Sequence, residues 1–216
     1  MFEVLGVHDL AIFIIAGLLL NLTPGPDTVY IGSRTATGGF RAGLAALSGI
    51  AVGCLIHTVA AAVGLSAIMM ASAEGFLAIK LIGAAYLVYA GIQMLREHGA
   101  TSAAPSATAV PNASLSKIFW QGFLTNVLNP KVAVFFLAFL PQFIDAQSSH
   151  KTAAFLVLGV IFVLNSLFVT VGFAALVARA GQKLSGNPKV AQWLTRSGGV
   201  LFLGLGIKLA ISERPI

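Results

Sequence analysis

Six apolar runs, each long enough to cross a bilayer, occupy most of this chain: residues 7–30, 44–70, 76–95, 119–143, 153–177 and 193–210. Backbone in hydrocarbon must satisfy its own hydrogen bonds, and no strand-like alternation of polar and apolar residues occurs, so each run predicts a helix rather than a barrel strand. Charged residues make up only 9% of the 216 positions against 57% hydrophobic ones, a balance that a soluble surface does not tolerate. The chain therefore reads as an all-α integral membrane protein, a single transmembrane domain of six helices in contact with the lipid bilayer.

Loop lysines and arginines alternate in side. Arg34 and Arg41 follow the first run, Arg96 and Lys117 the third, and Arg179, Lys183, Lys189 and Arg196 the fifth. The other side carries mainly Glu3, Asp9, Glu74, Asp145 and Glu213. The positive-inside rule then places both termini on the outer, periplasmic face. It also accounts for the net charge of +6 without any nucleic-acid partner. Residues 99–116, "GATSAAPSATAVPNASLS", are small, proline-bearing and uncharged, which predicts a flexible cytoplasmic linker. It separates residues 1–98 from residues 117–216, each with three spans. An odd number of spans per half inverts the second half relative to the first, as an inverted repeat requires.

Each half opens on an interrupted span. "LNLTPGPD" in the first run has a counterpart in "TNVLNPK" (residues 125–131) in the fourth, each placing asparagine, then proline, then a charge within apolar sequence. Proline has no amide hydrogen and clashes with the preceding turn, so Pro24, Pro26 and Pro130 leave carbonyls unpaired and permit a new helix start just downstream. The first and fourth helices are thus expected to be broken. A start within the membrane points free N–H groups and the positive end of a helix dipole at whatever lies in front. Two such breaks facing one another offer N–H donors to a carboxylate, and carbonyls with a carboxylate to an ammonium. That is the complement of an amino acid.

The candidate substrate-binding residues are accordingly Pro24, Gly25, Pro26, Asp27, Asn126, Asn129, Pro130 and Lys131. Asp27 is read as the ammonium or proton partner, against the alternative of a cap on a short interfacial helix. Lys131 is read as the carboxylate partner or the counter-ion of Asp27, against a side chain snorkelling to the headgroups. His57 in "GCLIHTVAAAVG" is a candidate for proton coupling with Asp27, since histidine is the side-chain type suited to a proton relay; the plainer reading is a neutral imidazole bonded to a helix carbonyl. Asn21, Asn126, Asn129 and Asn165 line a path or join helices. Gly39 with Gly43, and Gly49 with Gly53, are spaced for close helix packing, between the two halves or in a homodimer.

The single cysteine, Cys54, supports neither a disulfide within the chain nor a thiolate metal cage. Walker-type glycine loops, HExxH pairs and glycine-framed serines are missing from the sequence, so no enzyme, cofactor or metal site is read. Secondary transport is the reading that remains. An exporter of another small solute or cation, and a non-transporting membrane assembly protein, are the alternatives.

"NLTPGPD", "KLIGAAYLVYAGIQMLR", "TNVLNPKVAVFFLAFLPQFI" and "SGGVLFLGLGIKL" together resemble the LysE/RhtB amino-acid exporters, over nearly the whole chain. The wording of "GAAYLVYAGIQ" and "LAFLPQFI" is closer to the homoserine/threonine branch than to the lysine branch. The resemblance implies a bacterial inner-membrane protein exporting small neutral amino acids by proton antiport. It carries over Pro24, Gly25, Pro26, Asn129, Pro130 and Lys131 as family positions. Several members of that family have an acid in the fifth span where this chain has Asn165.

Overall fold

The structure, a computed structural model, describes residues 2, 4–96, 113–145, 147–180 and 188–211. The linker expected over residues 99–116 falls mostly outside these. Its last two residues belong to a helix.

Helix α1 (Leu10–Leu22) is apolar except for Asn21 and ends where Pro24 forces the preceding Thr23 into an extended conformation (φ −70°, ψ 124°). Its 13 residues reach about 20 Å, short of the roughly 30 Å of a hydrocarbon core. Gly25 is extended as well, and Pro26 opens α2 (Pro26–Ala60) from the first helical position, where its missing N–H costs nothing. The break expected in the first span is therefore present, at residues 23–25.

The sequence reading placed a loop between residues 30 and 44. The structure instead keeps helical geometry there, interrupted only at Gly39, which has φ 74° and ψ −176°. A side chain at Gly43 would run into Thr35, with a Cβ 3.3 Å from that of Thr35. Residues eight apart lie about 12 Å apart along a straight helix, so the chain folds back at Gly39. Only glycine takes that positive φ without strain. Arg34, expected in an aqueous loop, is consequently 4% exposed. It donates through Nη2 to Gln121 Oε1 (2.8 Å) and lies 5.3 Å from the centre of the Tyr30 ring.

Past residue 60 the chain passes through a π-helical turn (Ala61–Leu65) into α3 (Ser66–Ala71), followed by α4 (Ala73–Arg96). Helix α5 (Leu115–Val127) starts on Ser114, whose hydroxyl accepts from the Lys117 amide. After the second break, α6 (Pro130–Val134) continues through a π-helical segment (Phe135–Phe139) and a 3-10 turn (Leu140–Phe143), the whole bent by 46° from α5. Helices α7 (Lys151–Ala180) and α8 (Pro188–Ile211) complete the chain. Residues 26–71 and 151–179 are long and apolar enough to cross a membrane, and the bent pair α5–α6 makes a third such segment if counted as one span.

Helix α2 packs mainly on α5 and α7, and α4 on α8. Phe13, Phe135, Phe136, Phe139, Phe143 and Phe162 form a buried aromatic core between α1, the region after α6, and α7, with ring centroids 4.7–6.5 Å apart. The outer surface is as apolar as this interior: Ile82, Leu164 and Phe168 are 70%, 60% and 79% exposed. Lipid on the outside removes any hydrophobic drive between helices, so close packing and interhelical hydrogen bonds must hold them. The α2–α5 seam does so through glycine. Gly49 faces the Phe119 carbonyl, Gly53 the Phe123 carbonyl and Asn126, and Gly122 the Ala46 carbonyl. Of the two uses open to the Gly49/Gly53 pair, packing between the halves of one chain is the one observed.

Candidate functional site

The two breaks lie against each other. Pro24 has no N–H to give to the carbonyl of Leu20 four residues earlier, and the extended chain at residues 23–25 leaves the Thr23 carbonyl without a helical partner. The ammonium of Lys131, from the first turn of α6, takes both: Nζ donates to Leu20 O and to Thr23 O, each at 2.7 Å. A cation at the carbonyl end of a helix is also favoured by the helix dipole. The lysine chain runs close past Gly25, where a Cβ would sit in ordinary contact, 3.5 Å from Lys131 Nζ and Cδ. Lys131 therefore neither snorkels outward nor pairs directly with Asp27.

Asp27, in the first turn of α2, accepts at Oδ2 from Asn126 Nδ2 (2.8 Å). Its second oxygen, Oδ1, is buried without a hydrogen-bond partner, as is Asn21 Nδ2 at the end of α1. Asn126 joins α5 to both: its side chain holds Asp27 while its backbone carbonyl meets His57 Nε2 at 3.0 Å. Bonding to a carbonyl requires a proton on Nε2, which makes His57 a donor joining α2 to α5. The hydrogen bonds thus link His57 to Asp27 through Asn126. Asn129 caps α6, its Oδ1 accepting from the Lys131 amide at 3.0 Å, and Pro130 occupies the first helical position.

A cleft lies between these groups, lined by Asn21, Gly25, Asp27, Thr28, Asn129 and Lys131 together with Phe162, Ser166 and Thr170 of α7. It contains about 360 Å³ unfilled by protein atoms, counting its open mouth, but the enclosed part has room for about one water molecule. The structure thus brings Gly25, Asp27, Asn129 and Lys131 to one cavity. Asn126 and His57 lie behind Asp27, and Pro24, Pro26 and Pro130 shape the breaks.

Three polar wall residues are not among the sequence candidates. Thr28 sits beside Asp27, and Ser166 with Thr170 form a pair four apart on α7, a spacing that places them on one helix face. Such a pair within an apolar run is a legible signal. Asn165 is not part of the cleft wall. Its Nδ2 donates to Ile14 O (2.9 Å) and joins α7 to α1.

The site offers an open carboxylate oxygen and an open amide donor. The first-turn amides of α2, those of Asp27 and Thr28, follow an extended residue and have no carbonyl of a preceding turn to bond. A fixed cation stands beside them.

The family described as LysE type translocator matches residues 18–213. An uncharacterized membrane protein of Vibrio cholerae is 33% identical over 96% of this chain and 98% of its own length. A homoserine/homoserine lactone efflux protein of Salmonella typhimurium is 33% identical over 92% of this chain and 94% of its own. A Bacillus subtilis membrane protein is 30% identical over 95% of the chain. No solved structure matches. With its apolar helices and matches over nearly its full length, this multi-pass membrane protein belongs to the LysE type translocator family.

Proposed function

We propose that this protein exports small neutral amino acids, homoserine or threonine in type, across the bacterial inner membrane in exchange for protons. The observation that carries the reading is the cleft between the two breaks. In it the unpartnered Asp27 Oδ1 stands ready for a substrate ammonium, and Asn21 Nδ2 with the first amides of α2 for its carboxylate. The resemblance to a homoserine efflux protein supports the substrate class.

Six spans in two inverted halves, residues 1–98 and 117–216, form the frame of the mechanism. Each half contributes one broken helix to the cleft, and α4 of the first half packs on α8 of the second as α2 packs on α7. The enclosed space is too small for an amino acid, so substrate entry requires one half to rock against the other and widen the cleft. Asp27 then carries the exchanged proton in one state and holds the substrate ammonium in the other.

The test is efflux from vesicles containing the purified protein and loaded with labelled amino acids, with and without an imposed pH gradient. Homoserine and threonine are expected to leave faster when protons flow inward. Efflux of no amino acid would end the reading, and efflux indifferent to the gradient would make the protein a facilitator. Replacing His57 by glutamine retains a donor for the Asn126 carbonyl but removes the imidazole. That variant is expected to stay within about fivefold of the wild-type rate, the loss of no more than one ordinary hydrogen bond, and to keep its pH dependence. A flat pH profile would instead make His57 the coupling group.

A further inference from the structure

The carbonyls that a broken helix offers to a cation are already occupied in this protein, by its own Lys131. Leu20 O and Thr23 O are the acceptors that the first break exposes toward α6, and one side-chain ammonium takes both at 2.7 Å. Among the described residues of the cleft wall, Asp27 is the one carboxylate, and its Oδ1 is left open; the other side-chain oxygens there are the neutral ones of asparagine, threonine and serine. The cavity therefore offers one anionic place for a positive group, not two.

We propose that Lys131 is a specificity-determining residue. By filling the carbonyl subsite it restricts the cleft to substrates with one ammonium group and rejects amino acids that carry a second. A zwitterion places its α-ammonium on Asp27 Oδ1, and its carboxylate meets a site that already holds a positive charge. A second ammonium on the substrate finds no second carboxylate and faces the Lys131 charge, a cation without a counter-charge in a site of low dielectric. Removing the lysine side chain vacates the carbonyl pair and the space beside Gly25, where the Lys131 Cδ and Nζ now lie 3.5 Å from a Cβ built on that glycine.

This inference rests on the transport reading above, and its test separates the two. The probe pair is L-homoserine and L-2,4-diaminobutyrate, which differ only by an ammonium in place of the hydroxyl. Wild-type vesicles are expected to export homoserine, and excess diaminobutyrate is expected not to inhibit that export. In Lys131→Ala, the rate for diaminobutyrate relative to homoserine is expected to rise about tenfold or more, the worth of a charge-assisted hydrogen bond. A purely structural role for Lys131 would lower both rates together and leave their ratio unmoved.

Wild-type protein that exports diaminobutyrate as readily as homoserine would overturn the inference, as would a folded Lys131→Ala protein with an unchanged ratio. If that variant does not survive purification, the wild-type competition decides: inhibition by diaminobutyrate equal to that by unlabelled homoserine refutes the proposal, and its absence supports it. Wild-type vesicles that move neither homoserine nor threonine would remove the transport reading itself, a result distinct from the failure of selectivity.

Discussion

Asp27→Asn is expected to reach the membrane at wild-type levels and to lose export by about a hundredfold or more, the effect of deleting one charge from a hydrogen-bonded, desolvated pair. Asparagine has the same shape and can still accept from Asn126 Nδ2 with its own Oδ1, so α2 and α5 stay joined. What disappears is the negative charge, together with the acceptor now left open at Oδ1. Among the described residues no other carboxylate lines the cleft. Lys131, held by the carbonyls of α1, would face an amino acid with no anion to receive its ammonium. Efflux from vesicles with matched protein content is the measurement, and a variant that exports at the wild-type rate would show that Asp27 is no more than a capping residue.

The second large effect lies in the seam. Gly49→Val places a branched side chain where the Phe119 carbonyl stands, and since that atom belongs to the α5 backbone no rotamer change can relieve the contact. The helices must separate, and Gly53, four residues on, loses its approach to Asn126, the residue that positions Asp27 and bonds His57. We expect a loss of about 3 kcal/mol or more, on the order of 10 °C in unfolding temperature in detergent, or failure to accumulate in the membrane. Gly172→Ala is the control. Nothing lies within 4 Å of a Cβ at that position in α7, and the helix gains from the better helix former, so its melting temperature should equal or exceed that of the wild type. Equal melting of the two variants would show that the seam does not need its glycine.

Both predictions turn on features legible to different degrees before the fold was seen. The interruptions at Pro24 and Pro130 were plain, because a missing N–H is a property of the residue itself and acts on the turn beside it. The asparagines beside them were marked as groups in need of partners for the same local reason. The reversal at Gly39 was not recognised. A glycine amid helix-compatible residues is equally at home in a straight helix, and its positive φ accompanies a fold-back that brings Thr35 against Gly43. Arg34 was misplaced with it: an arginine following an apolar run looks like a loop cation until the helix is seen to continue and bury it against Gln121.

The amino-acid order alone therefore determined that this chain spans a membrane as helices and that it breaks at two proline sites, since hydropathy and the proline ring act over one span or one turn. Only the tertiary structure decided what answers those breaks. That Lys131 of one half caps the carbonyls of the other, and that Asn126 rather than Lys131 holds Asp27, depends on groups roughly a hundred residues apart brought within 3 Å. Local rules state which polar groups are left open. The packing of α2 on α5 through Gly49, Gly53 and Gly122 selects the partner that reaches each one.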